Sequence, residues 1–119
     1  MRTKRCSFGL PKGRSNYVIY AVVLREHPTI VKLGRTTNWR NRSREYHDWN
    51  FATGDGVLAS AVYCITEEYV DLAAVEAACL GAMGQLPHRG KEWFKATLQQ
   101  AKDAIESVLC NAQLSFDEL

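Results

Sequence analysis

No stretch of this sequence approaches the ~20 consecutive apolar residues a helix needs to cross a bilayer; its longest apolar runs lie around Val18–Leu24 and Val57–Ile65. The polar, basic start lacks the apolar run of a signal peptide, so the cytoplasm is the expected compartment and no membrane contact is expected. Cysteine occurs four times, at Cys6, Cys64, Cys79 and Cys110, with no Cys-x-x-Cys pair, and His27, His47 and His88 are equally scattered. Structural zinc needs ligands paired at short spacing, and a disulfide framework belongs to small secreted chains, so neither is expected. Cys79 fits a buried helix position and Cys64 a strand, both as small apolar side chains in a reducing compartment. Internal repeats and low-complexity segments are also missing.

What is present is the composition of one ordinary globular domain: 119 residues, 46% hydrophobic and 24% charged. The formal net charge of +2 conceals an uneven distribution. Residues 1–46 hold eleven Lys and Arg against two acids, a balance of +9, and residues 47–119 hold four against eleven, a balance of −7. A basic half of this kind suits a polyanionic partner, although a charge run is also the ordinary composition of a solvated face.

Residues 1–14 are basic, contain Gly9, Pro11 and Gly13, and show no apolar period, which predicts a flexible tail. A single domain is expected over 15–110, followed by a C-terminal tail over 111–119. Tyr17–Arg25 and Thr29–Gly34 are rich in β-branched and aromatic residues, and the short connection between them predicts an antiparallel hairpin. Thr36, Thr37 and Asn38 are candidate N-caps for a first helix reaching about His47. The segment Asn50–Gly56 reads as a turn and Val57–Ile65 as a third strand. Thr66 is expected to cap a second helix, with Glu67, Glu68 and Asp71 in its first turns, and Pro87-His88-Arg89-Gly90 to break it. A third helix is expected from Trp93 to about Cys110, with Leu98, Ala101, Ile105 and Leu109 facing the core. Phe116-Asp117-Glu118-Leu119 has the form of an ER-retention tail, but with no signal peptide to deliver the chain it reads as a frayed end. The expected fold is therefore α/β of the α+β kind: a small three-stranded antiparallel sheet flanked by three helices, in the order β-β-α-β-α-α.

Several residues resist a purely structural account. Leu72, Cys79, Leu80 and Met83 define the buried stripe of the second helix, and Glu76 lies four residues from both leucines. An unpaired buried charge costs several kcal/mol, so Glu76 must have a cationic partner, lie at the rim of the stripe, or hold a metal. On the first helix Arg42 and Tyr46 are i, i+4 neighbours with Trp39 one turn before, so one face carries a guanidinium and a phenol. In the hairpin, Tyr20 and Lys32 interrupt apolar strands.

In this order and spacing the residues resemble the GIY-YIG nuclease family. Val18-Ile19-Tyr20 stands where the first motif falls and Val31-Lys32-Leu33-Gly34 where the second does, the lysine twelve positions on from the tyrosine. Arg42, eight residues after Gly34, matches the family's arginine, Tyr46 its next helical position, and Glu76 its metal-binding glutamate. Gly34-Arg35-Thr36-Thr37-Asn38, Ala52-Thr53-Gly54, Ala74-Val75-Glu76 and Glu92-Trp93-Phe94 are similar to the short stand-alone branch found in phages and prokaryotes. Two positions depart: Val18 replaces a glycine and Lys32 a tyrosine.

The resemblance implies a nuclease domain over 15–110 that hydrolyses a phosphodiester by in-line attack of water. Glu76 would bind one Mg²⁺ or Mn²⁺, which keeps most of its waters and polarises a phosphate oxygen. Tyr20, with Tyr46, would orient or deprotonate the water, helped by positive charge from Arg42, Lys32 or the ion. Arg42 would stabilise transition-state charge. Lys4, Arg5, Arg35, Arg40 and Arg44 would follow the backbone of DNA in first place, or of RNA. The competing expectation is a binding or regulatory module on the same fold without cleavage, and a third is a protein-interaction domain.

Overall fold

The computed structural model describes residues 17–48, 56–84 and 92–119. The basic tail over 1–14, including Lys4 and Arg5, the turn at Ala52-Thr53-Gly54 and the helix-breaking Pro87-His88-Arg89-Gly90 lie outside the described residues. The element order is β1 (Tyr17–Leu24), β2 (Val31–Thr36), α1 (Trp39–Asp48), β3 (Val57–Ile65), α2 (Leu72–Ala82), β4 (Trp93–Phe94), α3 (Leu98–Asn111) and β5 (Phe116–Glu118).

The sheet has five strands in the order β4-β2-β1-β3-β5, with every neighbouring pair antiparallel. This corrects the expected three-stranded sheet and its β-β-α-β-α-α order. The two additional strands are two and three residues long, too short to display a period-2 pattern in sequence. Trp93 and Phe94, expected in the third helix, form β4, and the helix begins at Leu98. Thr97 caps it through a reciprocal pair: its hydroxyl accepts from the Gln100 N–H at 3.1 Å, and the Gln100 side chain accepts from the Thr97 N–H at 2.8 Å.

The expected frayed end is likewise corrected. Phe116 and Asp117 are buried, β5 pairs with β3, and Lys102 on α3 lies 3.2 Å from the Glu118 carboxylate. Thr66 does not cap α2. Its N–H donates to the Ser115 carbonyl, the Glu67 carboxylate accepts from the Ser115 N–H, and Asp71 caps the helix by accepting from the Ala74 N–H at 3.2 Å. Such a cap contributes about 1 kcal/mol. The stretch that looked like a first helical turn is thus the link fastening the C-terminal strand.

The pleat sends alternate side chains of the central strands to opposite faces. Ile19, Ala21, Val23, Val31, Leu33, Tyr63 and Ile65 form the larger core with Cys79 of α2 and Ala101, Ile105 and Leu109 of α3. Val18, Tyr20, Val22, Val62 and Cys64 form a second cluster with the partly buried Trp39 and Trp93. Among the described residues no helix is long and apolar enough to cross a membrane.

Candidate active site beside the second strand

The register of β2 decides where the site lies. Val31 and Lys32 pair with Phe94 and Trp93, and the Leu33 N–H donates to the Glu92 carbonyl at 3.0 Å. There β4 ends, so β2 has no strand beside it on that side from Gly34 to Thr36 among the described residues. Tyr20, Lys32, Gly34, Arg35, Arg42, Glu76 and Glu92 line one polar cavity there, of about 280 Å³.

Tyr20 lies opposite Gly34 in the β1–β2 ladder. A Cβ at position 34 would fall on the tyrosine's ring and hydroxyl, so only glycine lets Tyr20 lie across β2 toward the cavity. Trp39 packs on Tyr20 with ring centroids 5.0 Å apart, a contact contributing roughly 0.5–1.5 kcal/mol beyond its burial. That contact fixes the first turn of α1, which Asn38 caps by accepting from the Asn41 N–H at 3.2 Å. Arg42, one turn beyond Trp39, is thereby carried to the cavity, where its Nε lies 3.9 Å from the exposed Glu45 carboxylate.

Glu76 approaches from the other face, on α2, which packs against β2. It sits at the rim of the buried stripe, 17% exposed, and its Oε1 accepts from Arg35 Nε at 3.1 Å. Two of the three resolutions open to a carboxylate on this stripe, a cationic partner and a rim position, are thus realised together. Its Oε2 has no hydrogen-bond partner among the described residues. Glu76 and burial together push the Cys79 thiol up to about 12, burial being the larger cause. Lys32 is only 14% exposed, 3.6 Å from the Glu92 carboxylate and 5.8 Å from the centre of the Trp93 ring.

Of the expected catalytic residues, Tyr20, Lys32, Arg42 and Glu76 come together in this cavity; the Tyr46 side chain lies outside the described residues. Among the expected backbone-tracking residues, Arg40 and Arg44 are exposed on α1, while Arg35 belongs to the cavity itself. Glu92 was not singled out as a site residue. Its place in the cavity follows from the pairing of β4 with β2, which a two-residue strand does not announce in sequence.

The family model of the T5orf172 domain matches residues 16–109. The chain belongs to the T5orf172 domain family. Membership of the GIY-YIG nuclease family, expected from the motifs, is corrected by this match to a distinct family. The two departures are built into the packing of this T5orf172 domain. Val18 is wholly buried against the second cluster, where a glycine would leave a void, and Lys32 is held by Glu92 and Trp93. No curated protein and no solved structure matches the chain.

The donor set fits a hard divalent ion that keeps most of its waters. Glu76 presents a carboxylate oxygen to a polar cavity with room for several waters, the usual arrangement for Mg²⁺. Among the described residues no group of three or more His, Cys, Asp or Glu could enclose an ion completely.

Proposed function

We propose that this domain is a divalent-metal-dependent endonuclease that hydrolyses phosphodiester bonds in DNA, or in RNA, in the cytoplasm. The observation that carries the reading is the meeting of a phenol, a lysine, two arginines and two carboxylates in one polar cavity at a sheet edge. Glu76 would hold one Mg²⁺ or Mn²⁺, which supplies charge to a phosphate oxygen and to the leaving group. Tyr20 orients the attacking water and takes its proton, and the positive charge of Lys32 and Arg42 favours the phenolate this requires. Arg42 offers its planar fork to the charge that develops on the phosphate. Glu92 holds the Lys32 ammonium in the cavity. Arg40 and Arg44, exposed on α1, would contact flanking phosphates.

A second reading is a nucleic-acid-binding module without cleavage, favoured by the engagement of both cavity carboxylates, Glu76 and Glu92, in ion pairs. Incubation with supercoiled plasmid and with single-stranded and structured DNA and RNA, with and without Mn²⁺, separates the two. Glu76→Gln keeps the side chain's shape and removes its charge, so it should retain the melting temperature and lose metal-dependent cleavage. Cleavage at the wild-type rate in that variant would refute the role given to Glu76, and binding without cleavage by the wild type would establish the second reading.

A further inference from the structure

The cavity joins three cations, Lys32, Arg35 and Arg42, to two carboxylates, Glu76 and Glu92, with Glu45 beside Arg42, so its carboxylates are already engaged by cations before any ligand arrives. A divalent ion entering alone would add two positive charges beside these cations, in a partly desolvated space where like charges repel more strongly than in water. It would also have to share a carboxylate that Arg35 already engages through Nε. Arg35 itself is 47% exposed, and its terminal guanidinium nitrogens have no hydrogen-bond partner among the described residues. It can therefore turn toward a phosphate without leaving the cavity mouth.

We infer that Arg35 is an exchange residue: it holds Glu76 in the free protein and transfers to a nucleic-acid phosphate on binding, so that nucleic acid and divalent metal bind cooperatively. This rests on the proposed metal role of Glu76 and adds the order of assembly to it. Phosphate arrival lowers the cavity's positive charge and releases the carboxylate in one step, and both changes favour the ion. The coupling is reciprocal, so metal must tighten nucleic-acid binding by the same factor. An arginine suits the exchange because its fork pairs as well with phosphate as with carboxylate.

The test uses the full chain. Mn²⁺ is titrated without nucleic acid into wild type, Arg35→Gln, Glu76→Gln and the double variant, with free Mn²⁺ read by electron paramagnetic resonance. Arg35→Gln should bind Mn²⁺ roughly tenfold more tightly than wild type, within the usual range of coupling between sites. Both variants lacking Glu76 should lose that binding. In a second arm, the anisotropy of a labelled duplex DNA and of a labelled single-stranded RNA is followed at constant ionic strength with and without Ca²⁺. Ca²⁺ should tighten wild-type binding by a factor similar to the gain in the first arm, and Arg35→Gln should lose most of that response. Equal Mn²⁺ affinities in wild type and Arg35→Gln, with binding abolished by Glu76→Gln, would overturn the exchange and leave the metal role standing. Mn²⁺ binding indifferent to Glu76, or absent from every variant, would overturn the metal role and the exchange with it.

Discussion

The two edges of the sheet hold the same kinds of side chain and use them differently. At the β5 edge, Lys102 meets Glu118, the Tyr63 hydroxyl donates to Glu106 at 2.6 Å, and Ser115 and Leu119 fasten the backbone to Glu67 and Val62. These contacts close the strand onto the core. At the β4 edge, Lys32, Arg35, Arg42, Glu76 and Glu92 surround an open cavity. Ion pairs at the first edge therefore serve packing, and those at the second hold groups that another charged molecule could take over. The difference lies in strand length and position rather than in residue type.

The sharpest way to break this contrast is Arg42→Ala. At the open edge Arg42 makes a long, exposed pair with Glu45, which contributes little to stability. Metal-dependent cleavage should fall by roughly 10²–10³-fold, the loss typical of a preorganised charge donor, out of proportion to any change in melting temperature. Binding should weaken much less. A fall in melting temperature with no change in rate would make Arg42 a structural residue and erase the distinction between the edges.

Why one edge was legible in the sequence and the other was not follows from element length. Tyr20, Lys32 and Arg42 sit on or beside long elements whose periodicity and caps are plain, and Glu76 stood out as a charge on an apolar helical stripe. Glu92 and the closing role of Phe116–Glu118 depend on strands of two and three residues, which acquire meaning only from the partner strand. Thr97-Leu98-Gln99-Gln100 did carry a capping-box signature that marks the true start of α3; extending the apolar pattern back to Trp93 hid it. The Arg35–Glu76 pair joins residues 41 positions apart, and no local pattern encodes such a meeting.

Alkaline pH offers a smaller effect that sharpens the comparison, because one raised thiol lies near each edge. Cys64 is raised from 9.0 to about 11 by burial and then by Asp117 of β5. Cys79 is raised from 9.0 to about 12 by burial and then by Glu76. Both protons are held more tightly in the folded state, so stability is full below pH 9 and declines as the unfolded chain alone ionises. Each thiol contributes a slope of at most about 1.4 kcal/mol per pH unit, ending near pH 11 for Cys64 and near pH 12 for Cys79. Tyr63, raised far above its ordinary value by burial and by Glu106, extends the decline above pH 10. Urea unfolding between pH 8 and 10.5 should show the loss, and Cys64→Ala and Cys79→Ala should each flatten it. A slope that neither substitution changes would mean that the thiols ionise equally in both states.

The smallest expected effect is a gain in stability at the closed edge. Gln113 is the only residue other than glycine with positive φ among the described residues, at 57°. It follows the C-cap of α3, where the Leu114 N–H donates back to the Leu109 carbonyl at 3.0 Å and turns the chain toward β5. A side chain in this left-handed conformation costs about 1–2 kcal/mol, which glycine does not incur. Glycine gives back roughly 0.5–1 kcal/mol through the greater freedom of the unfolded chain. Gln113→Gly should therefore stabilise the fold by up to about 1 kcal/mol and raise the melting temperature by a few degrees. Cleavage should not change, because the turn lies outside the residues lining the cavity. Destabilisation instead would show that Gln113 does more than permit the turn, and an altered cleavage rate would show that the closed edge communicates with the open one.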